Sequence, residues 1–243
     1  MGESYGAWTM GHDAEMMRYI SSANIACGFH AGDATTIRKT VKLAIKNGVA
    51  IGAHPSFPDL QGFGRREMTL SPDEIIDLIV YQVAAVKGIC EAEGGKLHHV
   101  KPHGALYNQA ARNSVIARAI SRAVVSVDRS LILYGLSGSE LIEEANKIRL
   151  TTASEVFSDR TYSSDGSLTP RSESNAMITD VDTSISQVLQ MIETGTVPAT
   201  NGELVPIKAD SICVHGDGEN AVEFAKTINQ KLVESGISIQ TIH

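Results

Sequence analysis

The sequence predicts a single α/β barrel, residues 1–243, and three observations carry that reading. Short apolar runs ending in polar residues alternate with stretches of helical period, the pattern of repeated strand, crossover helix, strand units. The length, 243 residues, is one at which an α/β barrel is built as one unit. Histidines recur at the carboxyl ends of the predicted strands, the end at which barrels build their active sites.

In chain order, Gly2-Glu-Ser-Tyr-Gly-Ala-Trp8 reads as a loop with no strand before it, unlike every later polar motif. A strand follows near Asn24–Phe29. Asp33 caps a helix in which Ile37, Val41 and Ile45 recur every four residues, and Gly48 closes it. The second strand is Val49–His54. After it, Pro55-Ser-Phe-Pro-Asp-Leu-Gln-Gly-Phe-Gly64 is shaped by its prolines and glycines into a loop that can serve as a lid. Ser71-Pro-Asp-Glu74 is a capping box with proline at the first helical position, and it opens a long helix ending at Gly94-Gly95. Further strands are read at His98–Lys101, Ser130–Leu136, Thr152–Phe157 and Asp210–His215, six in all. Helices are read at about Ser114–Val127, Ser139–Lys147, Thr183–Glu193 and Glu219–Ser235. Residues 160–209 form an excursion on the rim, with one helix and a hairpin turning at Asn201-Gly202.

Composition excludes several classes of function. Lys and Arg number 21 against 28 Asp and Glu, a net charge of −7, the wrong sign for holding a nucleic-acid backbone. The three cysteines, Cys27, Cys90 and Cys213, are widely spaced with no C-x-x-C pair, which argues against a disulfide framework or structural zinc. Met1–Trp8 has no basic region followed by an apolar run, and Ile75–Val86, the most apolar stretch, is interrupted by Asp77 and Gln82. These features predict a cytoplasmic chain with no membrane partner.

The chemistry gathers on four histidines, His30, His54, His103 and His215. In a strand, alternate side chains share a face. His30 therefore goes with Asn24, Ala26 and Gly28, and His54 with Ala50 and Gly52. His103 goes with His99 and Lys101, and His215 with Ser211 and Cys213. Their companions are small or polar while Ile25, Ile51, Ile212 and Val214 lie opposite, so all four histidines are predicted to point inward. A lone histidine at a strand end is more often a structural hydrogen-bonder, but four together signal a site. His99 and His103 lie about 13 Å apart along a strand and cannot share one metal. A divalent metal held by His30, His54 and Asp33 or Asp217 stays open. Lys101, Arg65, Arg66, Arg160 and Arg171 supply positive charge for a carboxylate or phosphate, although a single arginine is usually a solvated surface group. Gly216-Asp-Gly-Glu-Asn-Ala221 matches G-x-G-x-x-A, but no acidic residue ends a second strand about twenty residues later, so a dinucleotide site is discounted. No G-x-x-x-x-G-K-[ST] or G-x-S-x-G string occurs.

Seven motifs, in order, resemble those of the LamB/YcsF family: Gly2–Trp8, Ser22-Ala-Asn-Ile-Ala-Cys-Gly-Phe-His-Ala-Gly-Asp33, Gly52-Ala-His-Pro55, Gly62-Phe-Gly-Arg-Arg66, His99-Val-Lys-Pro-His-Gly-Ala-Leu-Tyr-Asn108, Phe157-Ser-Asp-Arg-Thr-Tyr162 and Cys213-Val-His-Gly-Asp217. The resemblance implies a seven-stranded parallel (β/α) barrel of the glycoside hydrolase/deacetylase type. Family members begin with a strand ending in Asn-x-Asp just before Gly-Glu, so the first strand is expected to be missing from this chain. The resemblance also implies an ATP-dependent 5-oxoprolinase that opens the lactam of 5-oxoproline to L-glutamate and requires two partner subunits. ATP, with no nucleotide motif here, is expected to bind mainly to a partner or across the interface; a homo-oligomer is left open. Among the matched residues, Lys101 with Arg65 or Arg66 is expected to bind the substrate carboxylate or a phosphoryl group. Asp33 or Asp217, with His30 or His54, is expected to activate water, and His103 or His215 to protonate the departing nitrogen. Glu3, Asn24, Tyr107 and Arg160 complete the expected substrate site. The alternatives are a metal-dependent carbohydrate deacetylase, by fold analogy, and a non-catalytic scaffold subunit.

Overall fold

The computed structural model describes residues 1–216 and 221–243. Six parallel strands form one curled sheet: β1 (Ser22–Ala26), β2 (Ala50–His54), β3 (Leu97–Val100), β4 (Ile132–Leu136), β5 (Thr152–Phe157) and β8 (Ser211–Cys213). Between the last two lies a separate antiparallel hairpin of β6 (Thr196–Pro198) and β7 (Leu204–Pro206). The six sheet strands pair in chain order, so each crossover runs to the adjacent strand, as in a barrel. All six predicted strands are present, with ends that differ by up to three residues; β1 and β3 begin two and one residues earlier than predicted. Among the described residues the sheet has two edges, β1 and β8, and no seventh strand bridges them. The backbone of Met1 lies along the β1 edge, bonding Asn24 and Ala26.

The crossover helices obey their sequence signals. Helix α2 (Ala34–Asn47) starts where Asp33 accepts from the Thr36 amide and stops at left-handed Gly48. Its buried stripe is Ile37, Thr40, Val41 and Ala44, whereas Ile45, expected inside, is partly exposed and covers Gly95. The true spacing is i, i+4, i+7, one residue short of a second four-residue step. Helix α3 (Pro72–Ala92) carries the complete Ser71/Glu74 capping box, and α5 (Ser114–Val127) and α6 (Glu140–Lys147) lie as predicted. On the rim, α7 (Val181–Thr194) and the hairpin pack Ile185, Val188, Met191 and Val197 against Val156 and Tyr162. Helix α8 spans Ala221–Glu234; its predicted start at Glu219 lies outside the described residues.

Two helices carry no signal that the sequence reading used: the single turn α1 (Asp13–Met16) and α4 (Gly104–Arg112). Helix α4 starts directly after β3 and its short loop, and buries Ala105, Leu106, Tyr107 and Ala110. No helix is long and apolar enough to cross a membrane among the described residues.

The alternation along the strands decides what faces the interior. Ile25, Ile51, Val100 and Leu133 are buried in the layer shared with the outer helices. Asn24, Lys101, Tyr134 and Glu155 point the other way, toward a cavity of about 1330 Å³ inside the curled sheet, and His99 is buried beside Asn24 and Tyr134. Gly52 makes room there, since a Cβ at that position would overlap the His99 ring.

Candidate functional site

His54 ends β2, and the other three histidines follow the ends of β1, β3 and β8, so all four stand at one end of the sheet. Three gather closely. The His30 and His103 rings stack at 3.9 Å, and His54 meets both edge-on at 4.8 Å to His103 and 5.7 Å to His30. His54 and His103 line the cavity, but His30 is packed behind His103 and only 1% exposed. Strand parity does not explain His30, because β1 ends at Ala26 and the chain turns at left-handed Gly28 before reaching it. Phe63, from the predicted lid, closes over His30 and His103, with the Arg65 guanidinium 5.1 Å from its ring centre.

Hydrogen-bond arithmetic fixes the protons of the inner pair. His54 Nδ1 lies 2.6 Å from the Lys101 carbonyl, and His103 Nε2 lies 2.8 Å from the Phe63 carbonyl. A carbonyl only accepts, so both of those nitrogens carry hydrogen. The remaining nitrogens, His54 Nε2 and His103 Nδ1, face each other at 3.1 Å with lone pairs when the rings are neutral. One proton between them satisfies both. Burial, followed by the neighbouring histidines, holds His30 and His54 well below the usual histidine range; burial pulls His103 down to about 3. Burial thus disfavours a positive charge on each of the three rings. Both ring nitrogens of His30 are buried without a hydrogen-bond partner among the described residues.

Deeper in the cavity, Lys101 Nζ lies 2.6 Å from Glu155 and 3.1 Å from Cys213 Sγ, and the Tyr107 hydroxyl donates to Glu155 at 3.0 Å. Burial opposes the ammonium, but Cys213 and Glu155 together raise Lys101 above its ordinary value. Burial pushes the Cys213 thiol up to about 12, so at neutral pH the compensating charge is that of Glu155. Lys101, expected to hold a substrate anion, has its charge already matched inside the protein. Two residues beyond Cys213, His215 Nδ1 lies 2.6 Å from Asp159 Oδ2, with the Phe157 ring stacked on the imidazole.

The other expected residues are dispersed. Glu3 and Asn24 line the cavity, Glu3 beside the Met1 amino group and Asn24 bonded to His99. Arg160 also lines it, donating to the Thr169 and Ala176 carbonyls. Asp33 is absent from the wall and directs its oxygens to the Thr36 and Gly6 amides. Arg66 is paired with Asp59 within the loop, where the two staple the chain between them. Asp217 lies outside the described residues, as does most of the glycine-rich loop. Among the described residues no three His, Cys, Asp or Glu side chains are placed together to hold a metal.

Sequence reasoning missed Glu155 and Asp159. Both had a signal. Glu155 is a charged residue at interior parity in β5, and Asp159 follows the end of that strand just as His103 follows β3.

A curled parallel sheet of six strands, crossover helices and a histidine-walled cavity at one end of its strands define an α/β protein whose sheet forms a half-barrel, consistent with the α/β barrel class. The chain belongs to the LamB/YcsF family, whose model matches residues 1–243. It is 55% identical over 240 residues to a chain of Bordetella parapertussis named as a 5-oxoprolinase subunit, covering 99% of this chain and 95% of that one. It is 56% identical over 239 residues to the same-named subunit of Brevibacillus brevis, covering 98% and 94%. The crystal structure of a lactam utilization protein from Thermus thermophilus superposes with a TM-score of 0.94 at 45% identity, over 100% of this chain and 97% of that one. These relatives support a role as one subunit of a 5-oxoprolinase.

Proposed function

We propose that this chain houses the ring-opening step of an ATP-dependent 5-oxoprolinase, acting with two partner subunits in the cytoplasm. The observation that carries the reading is the identity, over nearly its whole length, with chains named for that activity. An unstrained five-membered lactam is a poor electrophile, so the amide oxygen first takes the γ-phosphoryl group of ATP and ADP leaves. Water then adds to the activated carbon, the carbon–nitrogen bond breaks, and a second water releases phosphate from the resulting acyl phosphate. The sum is 5-oxoproline, ATP and two waters giving glutamate, ADP and phosphate. The ring nitrogen must gain a proton as it leaves, and the histidines that line this end of the cavity, His54, His103 and His215, supply groups for that proton traffic. His30, stacked on His103, fixes the plane of that ring. ATP is assigned mainly to a partner, because the chain has no phosphate-binding glycine loop of the G-x-x-x-x-G-K-[ST] type.

The test is glutamate formation from 5-oxoproline and ATP by the chain alone and with its partners. His30→Ala, His54→Ala and His103→Ala should each lower turnover by roughly a hundredfold with the fold retained, the usual effect of an acid–base group. Near-wild-type rates in all three variants would make the chain a scaffold and its cavity irrelevant to the reaction.

A further inference from the structure

We infer that Asp159 and His215 form the proton-transfer dyad of this cavity, with Asp159 the positioning residue and His215 the base that accepts a proton from the attacking water. The inference rests on the lactam-opening reading and gives that reaction its base.

Three observations place the base here. First, the Asp159 carboxylate only accepts, so at 2.6 Å it fixes the hydrogen on His215 Nδ1, and in the neutral ring Nε2 is then the basic nitrogen. Second, the His215 side chain lines the cavity and is 27% exposed, enough to meet a water, while His54 and His103 are buried. Third, the partners differ in kind. The outer nitrogens of His54 and His103 bond neutral carbonyls, which orient a ring without offsetting a full positive charge on it. His215 bonds a carboxylate, which stabilises the imidazolium that proton uptake creates.

Asp159 is itself prepared for that task. It is buried, its carbonyl is fixed by the Ile178 amide, and its second oxygen, Oδ1, is buried without a hydrogen-bond partner among the described residues. Leaving a buried carboxylate oxygen unsatisfied is costly in a purely structural position. Here the uncompensated negative charge faces the ring that becomes positive during turnover. Phe157 stacks on that ring and restricts its rotation.

The step balances without a further reactant. Water oxygen bonds to the activated lactam carbon as one of its protons passes to His215 Nε2. The carbon–nitrogen bond then breaks, its electron pair stays on nitrogen, the imidazolium returns the proton to that nitrogen, and the hydroxyl loses its proton to the departing amine as the acyl phosphate carbonyl forms. His215 ends the cycle neutral.

Two measurements test the inference. Nitrogen-15 spectra of the histidine-labelled full chain should show His215 protonated at Nδ1 in the wild type, a result that needs no variant. In the complex with its partners, Asp159→Asn should lower kcat about a hundredfold or more while KM stays within about threefold. Hydrogen at Nε2 in place of Nδ1 in the wild type overturns the dyad, as does an Asp159→Asn complex whose kcat matches an active wild type. A wild-type complex that forms no glutamate refutes the lactam reading and this role with it.

Discussion

Glu155→Gln isolates the electrostatics of the cavity floor. The substitution keeps an acceptor for the Tyr107 hydroxyl and nearly the same volume, but it removes the charge opposite Lys101. Both partners are buried, with side chains 6% and 2% exposed, so solvent screens the pair only weakly. Breaking a buried ion pair by removing one partner costs about 3–5 kcal/mol, because the other charge is left uncompensated. Unfolding entropy near 2.1 cal/mol/K per residue gives about 0.5 kcal/mol/K for this 243-residue chain, so the midpoint should fall by roughly 6–10 °C. The double variant Lys101→Met with Glu155→Leu removes both charges and should recover most of that loss, since replacing a buried pair by apolar groups is often close to neutral. Calorimetric melting at about pH 7.5 of the wild type and both variants measures this directly. A single variant melting within about 2 °C of wild type, or a double variant no better than the single, would refute the claim that this is a buried, charge-matched pair.

Two further outcomes follow from the histidine cluster. Burial lowers the pKa of His30, His54 and His103 in the folded chain, to about 3 for His103, so the unfolded chain binds more protons below its own pKa near 6.5. Their stabilising contribution is complete above that pH and is lost as pH falls, by about 1.4 kcal/mol per pH unit for each histidine, until the folded pKa is reached. Urea unfolding at about pH 7.5 and about pH 5.5 should show this decline, and His103→Gln should flatten it; an unchanged slope in that variant would contradict a neutral buried ring. Gly64→Ala should be severe for its size. Gly64 has φ +65°, and its Cβ would overlap the Ser56 hydroxyl and come within 2.9 Å of the His103 ring and of His30 Cβ. The left-handed backbone alone costs about 1–2 kcal/mol, and the displaced rings should lower turnover as much as a histidine deletion does; a wild-type rate would show that the stack is not needed.

What the sequence by itself determined is the ordering of strands and helices and the gathering of histidines at one end of the sheet. These are local properties: the strand period of two, Asp33 and Ser71 as caps, Gly48 as a stop, and polar residues at the ends of apolar runs. Local signals weaken where the chain leaves regular structure. Ile45 missed its predicted face by one residue, and α4 went unread because a short loop and Gly104 with φ +57° open it. Only the tertiary structure decided which polar groups meet. Lys101 and Glu155 are 54 positions apart and His215 and Asp159 are 56 apart, so nothing in local spacing encodes either pair. The same holds for the Lys101 and Phe63 carbonyls that set the protons on His54 and His103. A side chain's chemistry in a buried cavity depends on what accepts its hydrogen and what shares its low-dielectric surroundings, and folding alone supplies those neighbours.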